Sequence, residues 1–277
     1  MLVAALNGNR IEAKSTERGL GYICPNPECK GPVILKRGRI KIAHFAHKPL
    51  TDCTWAKGET PAHLEAKKFF RDAFVSRGLR AEVEFVVPSL PSDRRADVMV
   101  WSPSGAQAAI ELQHSNISIE EIEKRSFSYA REGIAQAWVP FLRPKVMAEA
   151  ERRKGGDDGD MFIEKYPARP FERWAHAFHL RRLWFYDPKQ KALWRGRFNR
   201  HEIWKEESSW HSSEGEEMFA GGFYRVAKQW KELTLWGPHS FEQVRIKFKP
   251  RKTWQTDRYR LPAGRIAYFV TEGESDS

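Results

Sequence analysis

Cysteine is scarce in this chain: three residues, Cys24, Cys29 and Cys53, in 277. An odd, low count excludes a disulfide framework and fits reduced thiols in a cytoplasm. Long apolar runs are absent as well. No stretch approaches the ~20 residues of a membrane span, and the first residues lack the basic-then-apolar make-up of a secretory signal. The expectation is a cytoplasmic protein that does not enter a membrane. Acidic residues fall short of basic ones, 36 Asp+Glu against 47 Lys+Arg, giving a formal net charge of +11. Such an excess points to a polyanionic partner, nucleic acid foremost. Aromatics, by contrast, are plentiful, with 11 Trp and 17 Phe.

The most informative stretch is RRADVMVWSPSGAQAAIELQ, from Arg94 to Gln113. It reads as two strands, RADVMVW and QAAIELQ, joined by a turn at Ser102–Gly105. Both strands are apolar on both faces, as suits central strands covered by helices on either side. Into this oily hairpin are set Asp97, Glu111 and Gln113. Side chains alternate along a strand, so Glu111 and Gln113 share a face. An antiparallel partner can bring Asp97 close to them, where two carboxylates repel unless a cation intervenes. Two readings stand open: a site for Mg²⁺ or Mn²⁺ on hard oxygen ligands, or solvated and salt-bridged carboxylates.

Upstream, MLVAALNGNRIEA reads as a hairpin turned at Asn7-Gly8. Cys24 and Cys29 then sit on a Pro-rich knuckle, PVILKRGRIKIAHF reads as a second hairpin, and His44, His47 and Cys53 follow. This density of soft ligands suits a tetrahedral structural zinc held by Cys24, Cys29, His47 and Cys53, with His44 in reserve. Buried free thiols beside core histidines are the alternative.

Residues 58–78 read as a helix, with Thr60 as N-cap, Pro61 at the first position and Gly78 past the end. Glu59, His63 and Lys67 are four apart on one side of it. They form either an exposed charge ladder or, for Glu59 and His63, a reach toward the hairpin carboxylates; Glu65 is a weaker candidate. A strand over 81–88 precedes the hairpin. A helix from Ser118, with the capping pair Ser118/Glu121 and Gly133 beyond its end, follows it, then a strand over 135–142. The order from 59 to 142 is therefore α-β-β-β-α-β. On the second helix, Arg125 and Tyr129 either bind phosphate or pack and pair within the protein. Residues 151–160 read as a charged, Gly-rich linker or loop. The Trp-rich remainder contains a hairpin turned at Asp187-Pro188, strands at VRIKFKP and RIAYFV, and a frayed tail, TEGESDS. Its Trp and Arg side chains over 174–210 either stack on bases or form the core of a small domain.

The αβββαβ order, with an acid on the second strand and E-x-[K/Q] on the third, resembles the PD-(D/E)xK, or restriction-endonuclease-like, nuclease fold. More narrowly, the CP…C knuckle with HFAH after it (Cys24 to His47) is similar to the competence protein CoiA-like nucleases. So are Glu59, His63 and Lys67 on one helix, RADV around Asp97, and IELQHS from Ile110 to Ser115. The resemblance covers roughly residues 1–142. It implies an α/β nuclease core over 58–145 behind an N-terminal zinc-knuckle-like β module over 1–57, with a C-terminal Trp-rich α+β accessory region over 146–277. It also implies a metal-dependent DNA endonuclease with Asp97, Glu111 and Gln113 in the active site, helped by Glu59 and His63. Mg²⁺ or Mn²⁺ would rest on Asp97, Glu111 and the carbonyl of Leu112, and a second ion would be recruited by Glu59. Gln113 stands where the family's lysine orients water; its amide can donate but brings no charge. Lys67, Arg125 and Tyr129 are the expected nucleic-acid contacts. The competing expectation is a nucleic-acid-binding protein that keeps the fold without hydrolysis. A zinc deaminase is disfavoured because no H-x-E is followed by C-x-x-C.

Overall fold

The computed structural model describes residues 1–39, 41–48, 52–56, 59–90, 92–152 and 161–271. Residues 153–160 of the expected linker and the tail over 272–277 lie outside these. Strands β1 (Val3–Leu6) and β2 (Asn9–Glu12) form the hairpin expected at Asn7-Gly8, with both turn residues at positive φ, as such a turn requires. β3 (Val33–Lys36) and β4 (His44–His47) form the second hairpin.

Helix α1 (Pro61–Val75) begins where the capping chemistry places it: the Thr60 hydroxyl accepts from the His63 backbone N–H. It leads into β5 (Arg80–Val87), β6 (Arg94–Trp101) and β7 (Gln107–Gln113). Helix α2 (Ile119–Arg131) is capped by the Ser118 hydroxyl, which accepts from Glu121 N–H, and β8 (Ala135–Pro140) follows. The α-β-β-β-α-β order is thus present in a mixed α/β, strand-rich chain.

After α3 (Pro144–Met147), β9 (Glu151–Arg152) opens the stretch expected to be a linker and pairs with β10 (Met161–Tyr166). Helix α4 (Pro170–Phe178) and strands β11 (Leu183–Asp187) and β12 (Ala192–Lys205) come next. β13 (Ser208–His211) and β14 (Glu217–Ala220) form a hairpin, and β15 (Phe223–His239) runs back along β12. β16 (Val244–Arg251), β17 (Trp254–Gln255), β18 (Arg260–Leu261) and β19 (Gly264–Thr271) complete the order.

Two sheets organise these strands. One runs β16-β19-β8-β7-β6-β5; β7 and β19 flank β8 in parallel, and the remaining pairs are antiparallel. The other is the antiparallel β11-β12-β15-β10-β9. The first sheet crosses the division expected at 145/146, because β19 pairs with β8 and brings β16 with it. Phe241 and Phe269 from this returning segment join Phe70 and Phe74 of α1 in one buried cluster. The Trp side chains divide. Trp174 and Trp194 belong to one buried cluster and Trp184 to the cluster with Phe70, whereas Trp204 is exposed on the ribbon formed by the outer ends of β12 and β15 and Trp210 on the β13–β14 hairpin.

Alternation along β6 changes phase at one residue. Val98 and Val100 pack on the α1 side with Phe70, while Ala96 and Met99 pack on the other side with Tyr129 of α2. The break falls at Asp97. Its neighbour β5 does the same at Glu84, whose φ of +50° is a backbone conformation that side chains with a Cβ rarely take. Val83 lies on the α1 side and Phe85 on the other.

Candidate active site and metal cluster

Register places three acids in one row across the sheet. Val83↔Val98 and Phe85↔Ala96 bracket Glu84 and Asp97, and Val98↔Ile110 is the last β6–β7 pair before Asp97 and Glu111. Where the ladder stops, the Asp97 side chain replaces it: Oδ2 accepts from the Leu112 backbone N–H at 2.9 Å. A strand residue projects its N–H and C=O toward the same side, so the Leu112 carbonyl also faces this fork.

Asp97 is held from the α1 side. His63 Nε2 lies 3.1 Å from Oδ2, and Lys67 Nζ 3.2 Å from Oδ1. Burial works against ionisation of Asp97, but His63 first and Lys67 next outweigh it and hold the carboxyl well below its usual range. Glu111 is held from the α2 side: Tyr129 OH donates to Oε1 at 2.6 Å and Arg125 bonds Oε2. Burial pushes Glu111 up, and the charge of Asp97 adds to the rise against the pull of Arg125. The two acids meet at the fork closely enough to interact, and Arg125 is the cation felt by both.

Lys67, fully buried, bonds Glu59 and lies 3.1 Å from Glu84 Oε1. Arg95 joins the group, 3.0 Å from Glu59 and 3.8 Å from Glu84. Glu59 therefore reaches Asp97 through Lys67, whereas His63 touches it directly. Burial opposes ionisation of Glu59, but Lys67 and Arg95 prevail and lower its pKa. Glu65 is exposed and outside the group.

Two of the expected nucleic-acid contacts lie elsewhere. Lys67 and Tyr129 are both 0% exposed, so neither can contact nucleic acid; their positions make them the fixed partners of Asp97 and Glu111. Arg125 is half-buried and committed to Glu111, though it lines the cleft. Gln113 lines the cleft too, but its amide donates to the Ser115 carbonyl at 2.7 Å. Glu84 and Arg95 were not singled out from the sequence, although an acid amid the apolar VEFVV was a visible signal. His114, packed edge-on against Phe141, is a further cleft residue, with its pKa lowered by burial and then by His63.

The cleft has a volume of about 500 Å³, and the cysteine module forms one of its walls through Asn26, Glu28 and Trp55. Cys24, Cys29, His47 and Cys53, the four residues expected to act together, place their ligand atoms within 4.8 Å of one another. Cys24 and Cys53 sulfurs are 3.8 Å apart, and Cys29 Sγ is 3.3 Å from His47 Nε2. A tetrahedral ion with bonds of about 2.3 Å to sulfur sets two sulfurs about 3.8 Å apart. The cluster can thus hold a metal such as zinc. His44 is not part of it; its Nδ1 pairs with the Ile42 carbonyl at 2.9 Å.

Comparison with known proteins agrees in sequence. Residues 6–56 match the family described as competence protein CoiA, N-terminal domain, and residues 59–201 match competence protein CoiA, nuclease-like domain. Competence protein CoiA of Bacillus subtilis (strain 168) is 29% identical over 120 residues, 43% of this chain and 31% of that protein's length. A crystal structure of a protein of unknown function covers 29% of this chain and 47% of its own at 11% identity, with a TM-score of 0.24, too low to carry an argument. The nuclease-like match alone spans more than half of the sequence, and with the N-terminal match before it the chain belongs to the competence protein CoiA family.

Proposed function

We propose that the chain is a divalent-metal-dependent DNA endonuclease with a restriction-endonuclease-like core, working in the cytoplasm. The observation that carries this reading is Asp97 lining an open cleft beside His63 at the β6–β7 fork, with Glu111 buried directly behind it on the next strand and bonded to the cleft residue Arg125. Their donor set fits a hard cation. Asp97 and Glu111, with the Leu112 backbone oxygen, would be its ligands, and Arg125, bonded to Glu111, is the cation that both acids feel. Mg²⁺ or Mn²⁺, when bound, would supply Lewis acidity toward the phosphoryl group.

The chain's own residues provide the rest. Lys67, Tyr129 and the Leu112 N–H fix the two carboxylates before substrate arrives. His63 is placed to move a proton at the edge of the cleft, and Arg125, released from Glu111, can take a phosphate oxygen. Zinc on Cys24, Cys29, His47 and Cys53 would brace the wall that carries Trp55, over which Arg95 lies at 5.3 Å.

A second reading, a nucleic-acid-binding protein without hydrolysis, is favoured by two observations. Arg125 already neutralises Glu111, and Gln113 is turned to Ser115. Titrating Mg²⁺ and Mn²⁺ against supercoiled and single-stranded DNA separates the two. Nicking or chain cleavage that disappears in Asp97→Ala and Glu111→Ala supports the nuclease. Salt-sensitive retention without any cleavage supports the binding protein.

A further inference from the structure

Far along the chain from the acidic fork, a second concavity has the opposite charge. It lies at the root of the β12–β15 ribbon, has a volume of about 840 Å³ and shares no lining residue with the cleft. Arg173 and Arg181 line it, with Arg200, Lys228, Lys231 and Arg258; no acidic residue does. The cations crowd one another. Burial lowers the Lys231 pKa, and Arg173, Arg200 and Arg258 lower it further. The nearby His176 ring accepts the Phe198 N–H at 3.2 Å. Burial, then Arg181 and Arg197, depresses its pKa to about 4, so it adds no charge at neutral pH. Like charges kept this close cost free energy that a bound anion would return.

The ribbon leads directly out of this basin. Val226, a basin residue, faces Glu202 across the ladder, and the next pair on the same face is Trp204↔Tyr224. Those two rings meet at 5.0 Å and are 49% and 67% exposed. They sit two residues beyond Val226, about 7 Å along the strand. Beyond them the tip turns acidic, with Glu206, Glu207, Glu214, Glu216 and Glu217 all exposed. Phosphates are therefore attracted at the root and repelled at the tip, and the open rings lie between.

We infer that the ribbon root is an accessory site for single-stranded nucleic acid, gripping phosphates in the Arg/Lys basin and stacking unpaired bases on Trp204 and Tyr224. Cations without acids recognise the backbone of any nucleic acid. The exposed rings select the single strand, because duplex bases offer no free face to stack on. This site goes beyond the nuclease reading and is tested without cleavage.

The test is fluorescence anisotropy of a labelled twelve-residue oligothymidylate with the full chain, in buffer without added divalent metal. The four positions altered, Arg200, Lys228, Trp204 and Tyr224, are exposed, so the fold tolerates their change. The double variant Arg200→Glu/Lys228→Glu is expected to weaken binding at least tenfold at low salt. It also lowers the slope of log affinity against log salt by about 1.4, at about 0.7 per lost phosphate contact. Trp204→Ala/Tyr224→Ala is expected to weaken binding at least about fivefold while leaving that slope unchanged. The inference is overturned if either double variant binds like the unaltered chain, or if a twelve-base-pair duplex binds as tightly as the single strand. Cleavage by the Asp97 site is read separately, so loss of one proposal does not entail loss of the other.

Discussion

Replacing Lys67 by methionine removes a fully buried cation from among three carboxylates while nearly keeping its volume. Each acid keeps something. Glu59 retains Arg95 at 3.0 Å, and Asp97 retains His63 and the Leu112 N–H. Glu84 is left worst off, with Arg95 at 3.8 Å and the N–H groups of Leu2 and Val3 at 2.8 and 3.2 Å. Breaking a buried ion pair by removing one partner costs about 3–5 kcal/mol, which is a large share of a domain's stability. The pH dependence sharpens the test. In the unaltered chain the folded pKa values of Asp97 and Glu59 are depressed, so the stability they confer is present above their unfolded values near 4 and is lost as pH falls through the folded ones. Without Lys67, one of the cations that offset burial is lost from both, so both folded values rise, while His63 still acts on Asp97 and Arg95 on Glu59. The difference in proton binding between folded and unfolded states then narrows, and the gain in stability as pH rises from about 4 to 7 shrinks. Urea unfolding followed by tryptophan fluorescence at pH 4, 5.5 and 7 reads this directly. Equal stability of Lys67→Met and the unaltered chain at pH 7, with the same pH trend, would refute the buried-cation reasoning.

Three further outcomes are expected. Tyr129→Phe removes the 2.6 Å donor to Glu111; it costs about 1.5–3 kcal/mol for a hydrogen bond to a charged group and raises the Glu111 pKa, moving the acid limb of the cleavage pH profile upward. Purified protein should carry one equivalent of zinc by atomic absorption, and Cys24→Ser or Cys53→Ser should lose it together with melting temperature; full stability in metal-free protein would count against the cluster. His179 accepts the Trp138 N–H at 2.9 Å, and burial lowers its pKa to about 3. Its folded value lies below the unfolded one, so its contribution is complete above about pH 6.5 and is lost as pH falls toward 3, on the order of a few kcal/mol at about 1.4 per unit. His179→Gln keeps an acceptor without the titration and should flatten the decline in unfolding free energy between pH 6.5 and 4.

Local chemistry made much of the fold legible. The Asn7-Gly8 and Asp187-Pro188 turns, the Thr60-Pro61 helix start and the Ser118/Glu121 cap all act within a few residues of themselves. The four metal-type ligands could be chosen because soft donors are rare in this chain. What escaped was set by distant partners. Lys67 at i,i+4 from His63 reads as a solvated ladder, and only the packing of α1 over β5 and β6 buries it. Glu84 reaches that cation through a positive-φ residue in a strand, which alternation does not foresee. The pairing of β19 with β8 joins segments more than a hundred residues apart. Helix α4 was missed although Pro170 stands at its first position and Glu172 accepts from the Arg169 N–H at 2.8 Å. The outer ribbon lacks the apolar alternation that marks a half-buried strand, because both its faces meet solvent.

The proposed nuclease depends on Asp97 and Glu111 serving one divalent ion at the strand fork. The most direct measurement is Mg²⁺-dependent DNA cleavage by the unaltered chain beside Asp97→Asn and Glu111→Gln, which keep shape and remove charge. Cleavage that saturates with Mg²⁺ in the first and vanishes in both variants, with zinc content and melting temperature retained, is the expected result. Undiminished cleavage in either variant would contradict it.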